Sequence, residues 1–142
     1  MALIAPQFPF HNVFDVRFLG TSLWQSEKLI ELAGKYVQGA IFPSGFFRSG
    51  VTGPVEDFAA KYEKNFEDEP GILAATGYDT MMFLKNLIKK RGITTRKAFQ
   101  KALLEADPYP GLTGNMSFDQ QGEVVKDPVL LTVSGRRLYE HP

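Results

Sequence analysis

Cysteine is missing from the chain altogether, so neither a disulfide framework nor a thiolate metal site can form, and the redox compartment is left open. Histidine is nearly missing: His11 and His141 stand close to opposite ends. His11 and Asp15 have the i, i+4 spacing of a helix-borne ligand pair, but the residues between them are poorly helical. No third ligand accompanies them, so no metal site is expected. Charge of one sign is also lacking. Sixteen Lys and Arg balance sixteen Asp and Glu, whereas nucleic acid recruits a basic face, so no nucleic-acid partner is expected. No run of roughly 18 apolar residues offers a membrane-spanning helix.

The motifs of catalysis are absent as well. There is no Gly-x-Ser-x-Gly elbow, and Ser44, in Pro43-Ser44-Gly45, has no base nearby in the sequence. Neither a Gly-x-Gly-x-x-Gly nor a P-loop pattern occurs; Gly45, Gly50 and Gly53 are spaced for loop flexibility. Glu67-Asp68-Glu69 before Pro70 reads as a solvated helix end, and Lys89-Lys90-Arg91 as compensation of a helix dipole. Asn115-Met116-Ser117 matches a glycosylation acceptor by letters only. With no nucleophile, acid–base pair or cofactor motif, the reading is a binding protein with no catalytic residues and no cofactor.

What is present is an ordinary globular composition, 44% hydrophobic and 23% charged over 142 residues, enough for one domain with a real core. Met1-Ala2-Leu3-Ile4-Ala5-Pro6 lacks the basic start of a signal peptide and enters an apolar run uncapped; it reads as the middle of something larger. Arg17–Gly20 is a short predicted strand ending in the loop Thr21-Ser22-Leu23-Trp24-Gln25. Ser26 caps a helix with Leu29, Leu32, Ala33 and Tyr36 on one face, closed near Gly34-Lys35. Gly39–Phe42 is a continuous apolar run of the kind buried in parallel sheets. The three glycines from Ser44 to Gly53 make a loop.

Pro54 suits the first position of a helix whose apolar residues Val55, Phe58, Ala59, Tyr62 and Phe66 follow at i, i+3, i+4, i+7 and i+11. From Ile72 to Lys90 runs a long helix, apolar nearly all round through Leu84, which implies burial on two sides; Gly92 stops it. Thr94 or Thr95 caps the last helix, with Phe99, Ala102, Leu103 and Ala106 inward, and Asp107-Pro108 ends it. The period then changes. Asn115–Phe118 and Val129–Val133 are strands, Asp119–Gly122 a turn, and Ser134-Gly135 a tight turn into Arg136–Glu140. This alternation predicts the α/β class, with a parallel sheet flanked by helices.

The most informative cluster is aromatic and hydroxylic. Trp24, the one tryptophan, follows a predicted strand beside Thr21 and Ser22, and Phe46 and Phe47 follow the next. Ligands of open α/β sheets sit outside the carboxyl ends of strands. A stacking ring with hydroxyls there can wall a small-molecule site. The plainer alternative is that Trp24 caps a helix and the phenylalanines fill a domain seam.

Four segments carry a resemblance: Phe18-Leu19-Gly20-Thr21-Ser22-Leu23-Trp24, Gly39-Ala40-Ile41-Phe42, Ala75-Thr76-Gly77-Tyr78-Asp79 and Thr113-Gly114-Asn115-Met116-Ser117-Phe118-Asp119. In this order and spacing the chain resembles the type I periplasmic solute-binding proteins, the branch related to branched-chain amino acid binding components of ABC importers. Within it the chain looks closest to the lipoprotein-like penicillin-binding protein activators. The resemblance implies a partial type I periplasmic-binding-protein fold, the C-terminal segment of a two-lobe domain that closes on its ligand. On that mapping residues 1–45 finish one lobe, 46–112 belong mainly to the other, and 113–142 are crossover strands.

The candidate ligand site is Thr21, Ser22, Trp24, Phe46 and Tyr78, and the resemblance implies a periplasmic or outer-face lipoprotein location. Its partners would be a small polar solute, amino-acid-like or other, and a membrane permease. The alternative partner is a cell-wall synthase, for a chain serving as an envelope interaction protein. One departure stands out. Amino-acid-binding members commonly place an acid in the loop after the first strand, and Gly20-Thr21-Ser22 has none before Glu27. A buried ammonium without a carboxylate is costly, so an amino acid is not the default ligand. The apolar breadth of the Ile72–Leu84 helix further predicts that the chain self-associates.

Overall fold

The computed structural model describes residues 1–50 and 52–141. Val51, inside the predicted 44–53 loop, and Pro142, at the end of the predicted crossover segment, lie outside the described residues. In chain order the elements are α1 (Gln7–Phe10), α2 (Glu27–Ala33), β1 (Ile41–Ser44), α3 (Pro54–Phe66), α4 (Ile72–Arg91) and α5 (Arg96–Leu104), then β2 (Tyr109–Gly111), β3 (Gly114–Phe118), β4 (Val124–Lys126), β5 (Val129–Ser134) and β6 (Arg137–Glu140). Single 3-10 turns cover Ser22–Trp24 and Gly34–Tyr36. The chain forms two compact units, Met1–Gly45 with Val129–Pro142, and Phe46–Pro128.

In the first unit, strands β1, β5 and β6 form a sheet in that order. Phe42 stands opposite Leu131, and Thr132 opposite Tyr139. Parallel pairing is present where Leu19 bridges Ile41; the longer ladders of both units are antiparallel. The tight turn at Gly135, which has φ 60°, explains the direction of β6, since a two-residue connection joins only antiparallel strands. The predicted strand at Arg17–Gly20 shrinks to that one bridge, held by Gly20 N–H to the Ile41 carbonyl and Ile41 N–H to the Phe18 carbonyl, both 2.9 Å. α2 starts where Ser26 Oγ accepts the Leu29 N–H at 3.2 Å. Its inner residues Leu29 and Ala33 join Val37, Ala40, Phe42, Leu131 and Val133 among the buried side chains. The alternation in β5, with Leu131 and Val133 in and Leu130 and Ser134 out, matches a sheet buried on one face.

In the second unit, α3 begins at Pro54 and ends at Glu67, which takes the left-handed conformation. Phe58 and Ala59 are buried and Val55 and Tyr62 half-buried, so the predicted stripe faces inward except for exposed Phe66. Phe46, Phe58 and Ala75 form one core cluster, with Leu112 against it. Phe83, Leu87, Ala102 and Met116 form another, joined by Phe99, Tyr109 and Phe118. Thr95 caps α5, its hydroxyl accepting the Ala98 N–H at 3.2 Å, which settles the choice between Thr94 and Thr95.

Helix α4 corrects the expectation of burial on two sides. A single stripe is buried, Ala75, Asp79, Phe83 and Leu87 at steps of four, whereas Leu73 and Met81 are 86% and 66% exposed. The hydrophobic residues of α4 outnumber the neighbours this unit supplies, because α5 and strands β2–β3 cover one face only. Strands β2 and β4 were not foreseen from the sequence. Three residues each, they exist by pairing with β3 on either side. Pro110 is tolerated because β2 is an edge strand.

Candidate functional site

In the first unit the predicted residues Thr21, Ser22 and Trp24 share one 3-10 turn. The Trp24 N–H donates to the Thr21 carbonyl at 3.0 Å and the Gln25 N–H to the Ser22 carbonyl at 3.1 Å. Thr21 and Ser22 are exposed, and Trp24 is half-buried. The indole lies directly on Gly20: a Cβ there would fall 2.2 Å from the ring. On another side it meets Phe42, with ring centroids 6.2 Å apart and planes tilted by 56°. Glycine at position 20 is thus what allows the ring to sit flat against backbone. The far end of the turn is tied to β1, where buried Ser44 Oγ donates to Gln25 Oε1 at 2.6 Å. An amide oxygen takes no proton from a hydroxyl, so this contact gives Ser44 no general base.

The second unit holds Phe46 and Tyr78. Both rings flank Phe58, with centroids 6.3 Å and 4.9 Å away. Phe46 is only 7% exposed, its ring taken up by packing, while Tyr78 is 41% exposed. Three predicted residues therefore fall together in one unit and two in the other.

Sequence reasoning missed the most constrained polar group, Asp79, which is 2% exposed on the inner stripe of α4. Oδ1 accepts the Leu112 N–H at 2.8 Å, and Oδ2 accepts the Thr113 N–H at 2.9 Å and the Thr113 hydroxyl at 2.7 Å. Lys126 Nζ in turn donates to Thr113 Oγ1 at 2.6 Å. An acid at the i+4 step between Ala75 and Phe83 was the available signal, since an unpaired carboxylate would not be buried there. Gly111 lies so close that a Cβ would stand 2.6 Å from Asp79 Oδ2. The neighbouring Tyr109 phenol is held above its ordinary pKa, first by burial, then by the charge of Asp79. Asp79 is a structural clasp, fixing the 111–113 corner to α4 and so orienting the helix that carries Tyr78.

Nearby, Arg48 closes the loop after β1 onto α3. Its Nη2 lies 3.0 Å from Glu56 and its Nη1 2.6 Å from Glu63, and Glu56 also accepts the Gly50 N–H at 3.1 Å. The hydrogen bonds from Arg48 hold the Glu56 carboxyl below the usual glutamate range. Among the described residues no group of three His, Cys, Asp or Glu side chains is placed to hold a metal ion.

The first unit thus presents two exposed hydroxyls and a half-buried indole on a turn that follows a β-bridge. The chain belongs to the periplasmic binding protein family, whose sequence profile matches residues 1–136. Among solved structures it is similar to a protein from Rhodospirillum rubrum described as a branched-chain amino acid ABC transporter. The two are 26% identical over 99% of this chain and 41% of the other, with a TM-score of 0.86. A leucine binding protein from Thermotoga maritima matches at 25% identity, 99% of this chain, 40% of the other and TM-score 0.64.

A branched-chain amino acid substrate-binding protein from Streptococcus pneumoniae, solved with isoleucine, shares the fold at 22% identity, 96% of this chain, 39% of the other and TM-score 0.60. The chain therefore spans about two fifths of the length of the structures it matches. No match was found among curated protein sequences. The α/β class and the partial type I periplasmic-binding-protein fold read from the sequence are those of these structures.

Proposed function

We propose that this chain forms part of an extracytoplasmic solute receptor of the ABC-importer type, acting by binding and without catalysis. The observation that carries the reading is the family match over residues 1–136 together with the 0.86 TM-score to the Rhodospirillum rubrum protein. Family membership implies an extracytoplasmic location, in the periplasm or as an outer-face lipoprotein. Among the described residues no helix is long and apolar enough to cross a membrane. For a receptor of the ABC-importer type, the proposed partner that moves the solute is a membrane permease.

Thr21, Ser22 and Trp24 are the ligand contacts we assign to the first unit. Two exposed hydroxyls supply donors and acceptors, and the indole a flat apolar wall. In the second unit Tyr78 is the assigned contact, with Phe46 supporting it through Phe58. The solute class is small and polar. The relatives' printed ligands, leucine and isoleucine, put branched-chain carbon skeletons first among candidates. Because Thr21 and Ser22 offer no carboxylate for an ammonium, the 2-oxo acids of those skeletons belong beside the amino acids in the screen.

The test is isothermal titration of the protein carrying this chain against leucine, isoleucine, valine and their 2-oxo acids. Binding of any of them, weakened by Trp24→Ala by about tenfold or more, supports the reading. Absence of binding across the panel, with the protein folded by circular dichroism, sinks it.

A further inference from the structure

Lysine rarely turns inward, because its ammonium gains most from water. Lys126 is nonetheless half-buried at the end of β4, opposite Met116, a core residue of β3. Its Nζ donates to Thr113 Oγ1 at 2.6 Å. Among the described residues neither Lys126 nor Asp79 belongs to an ion pair. The ammonium and the buried carboxylate are therefore the two ends of one hydrogen-bonded chain, with the Thr113 hydroxyl between them. Chemistry fixes its direction. An ammonium has nothing to accept with, so Thr113 Oγ1 accepts from Lys126 and sends its own proton to Asp79 Oδ2 at 2.7 Å. Charge at each end strengthens both bonds.

This chain reaches Tyr78 by two routes. Asp79 is the next residue along α4. Its Oδ1 also holds the Leu112 N–H at 2.8 Å, and the Leu112 side chain packs on the cluster of Phe46, Phe58 and Ala75. Phe58 is the ring against which Tyr78 rests. The corner between them has no slack. A Cβ at Gly111 would stand 2.6 Å from Asp79 Oδ2, and one at Gly114, where φ is 100°, would stand 2.3 Å from the Asp127 carbonyl oxygen. A shift of Thr113 is thus passed on to Leu112 and α4, since close-packed groups transmit displacement. Every one of these residues lies within Phe46–Pro128, and Asp79 and Thr113 are already 2% and 3% exposed. The chain of contacts does not depend on what covers the outer faces of the unit.

We propose that Lys126 is a positioning residue for Tyr78, acting through Thr113 and Asp79. Its bearing on binding rests on the assignment of Tyr78 as a ligand contact. Lys126 touches no ligand in this scheme; it sets where the Tyr78 ring stands. Without the ammonium the Thr113 hydroxyl loses its charged donor, the 111–113 corner relaxes, and both Asp79 and Leu112 follow it.

The experiment uses the protein carrying this chain, labelled with 3-fluorotyrosine and read by fluorine NMR without ligand. Circular dichroism checks that every variant is folded. Tyr78→Phe assigns the Tyr78 resonance, and Tyr36 in the first unit is the internal control. Lys126→Met should move the Tyr78 resonance, leave Tyr36 in place and weaken the affinity for whichever solute binds by about three- to tenfold. In a Thr113→Val background Lys126→Met should add nothing, while in Thr113→Ser, which keeps the hydroxyl, its full effect should return. A loss of stability alone would not move the resonance of a folded protein or produce that dependence on the hydroxyl. An unmoved Tyr78 resonance in Lys126→Met overturns the proposal, even where a solute binds and the receptor reading stands. So does an effect of Lys126→Met that persists in Thr113→Val. A moved resonance in a protein that binds none of the solutes supports the positioning of Tyr78, and it is then the receptor reading that fails.

Discussion

Gly20 and Trp24 depend on each other. A methyl group at position 20 would lie 2.2 Å from the indole, so Gly20→Ala must push the ring off the backbone and away from Phe42. We expect a red-shifted tryptophan emission and a loss of about 1–3 kcal/mol, the usual cost of forcing extra volume into a packed site. Trp24 is the one tryptophan, which makes the reading unambiguous; an unchanged spectrum would show that the ring does not rest there.

Asp79 offers a sharper test of the second unit. Asp79→Ala leaves two N–H groups and a hydroxyl without their acceptor, at an expected cost of about 3 kcal/mol in chemical denaturation. A cost below about 1 kcal/mol would mean that water replaces the clasp. The caps at Ser26 and Thr95 were legible in the sequence because each bonds a residue three positions on. The partners of Asp79 are 33 and 34 residues away, beyond any local pattern.

At the scale of elements, α3 is the helix the sequence describes best, since Pro54 and the apolar spacing both act within a few turns. Phe58 is buried between Phe46, Tyr62 and Tyr78. Phe58→Ala should destabilise the protein by about 3–5 kcal/mol, as expected for deleting a buried ring; a loss below about 1 kcal/mol would place the stripe in solvent.

The same helix carries a pH dependence. Arg48 depresses the Glu56 pKa, so the folded state favours the ionised carboxyl. The resulting stability is present above the unfolded glutamate pKa and is lost as pH falls through the depressed folded value. Glu56→Gln should therefore flatten the acid side of the stability profile, measured by melting temperature from neutral pH downwards, and leave its alkaline side unchanged. The breadth of α4 misled for the opposite reason. An apolar helix surface reports that burial is favourable, not that this chain contains the covering surface.

At the scale of the whole molecule, the first unit is discontinuous. Its central strand β5 comes from the last segment of the chain and stands between β1 and β6. Deleting residues 129–142 should strip the partner from Phe42, which faces Leu131, and expose the core on which Trp24 rests. We expect the Trp24 emission to move to that of a solvated indole while the helical signal of α3, α4 and α5 persists. Retention of the native emission would show that β1 holds its fold without β5.

The sequence by itself determined helices α2 to α5 with their caps and stops, though not the single turn α1, and with them the late strands at Asn115 and Val129, the α/β class and the family. These rest on neighbours within a turn or a hairpin, or on short segments recurring in a fixed order. Only the tertiary structure decided that β1 pairs antiparallel with a strand nearly ninety residues further on, that Tyr109–Gly111 and Val124–Lys126 are strands, that Phe46 is buried while Tyr78 is exposed, and that a carboxylate on α4 holds the corner at Thr113. Each of these depends on which distant surface arrives to share a hydrogen bond or exclude water, and that choice is made by packing the whole chain.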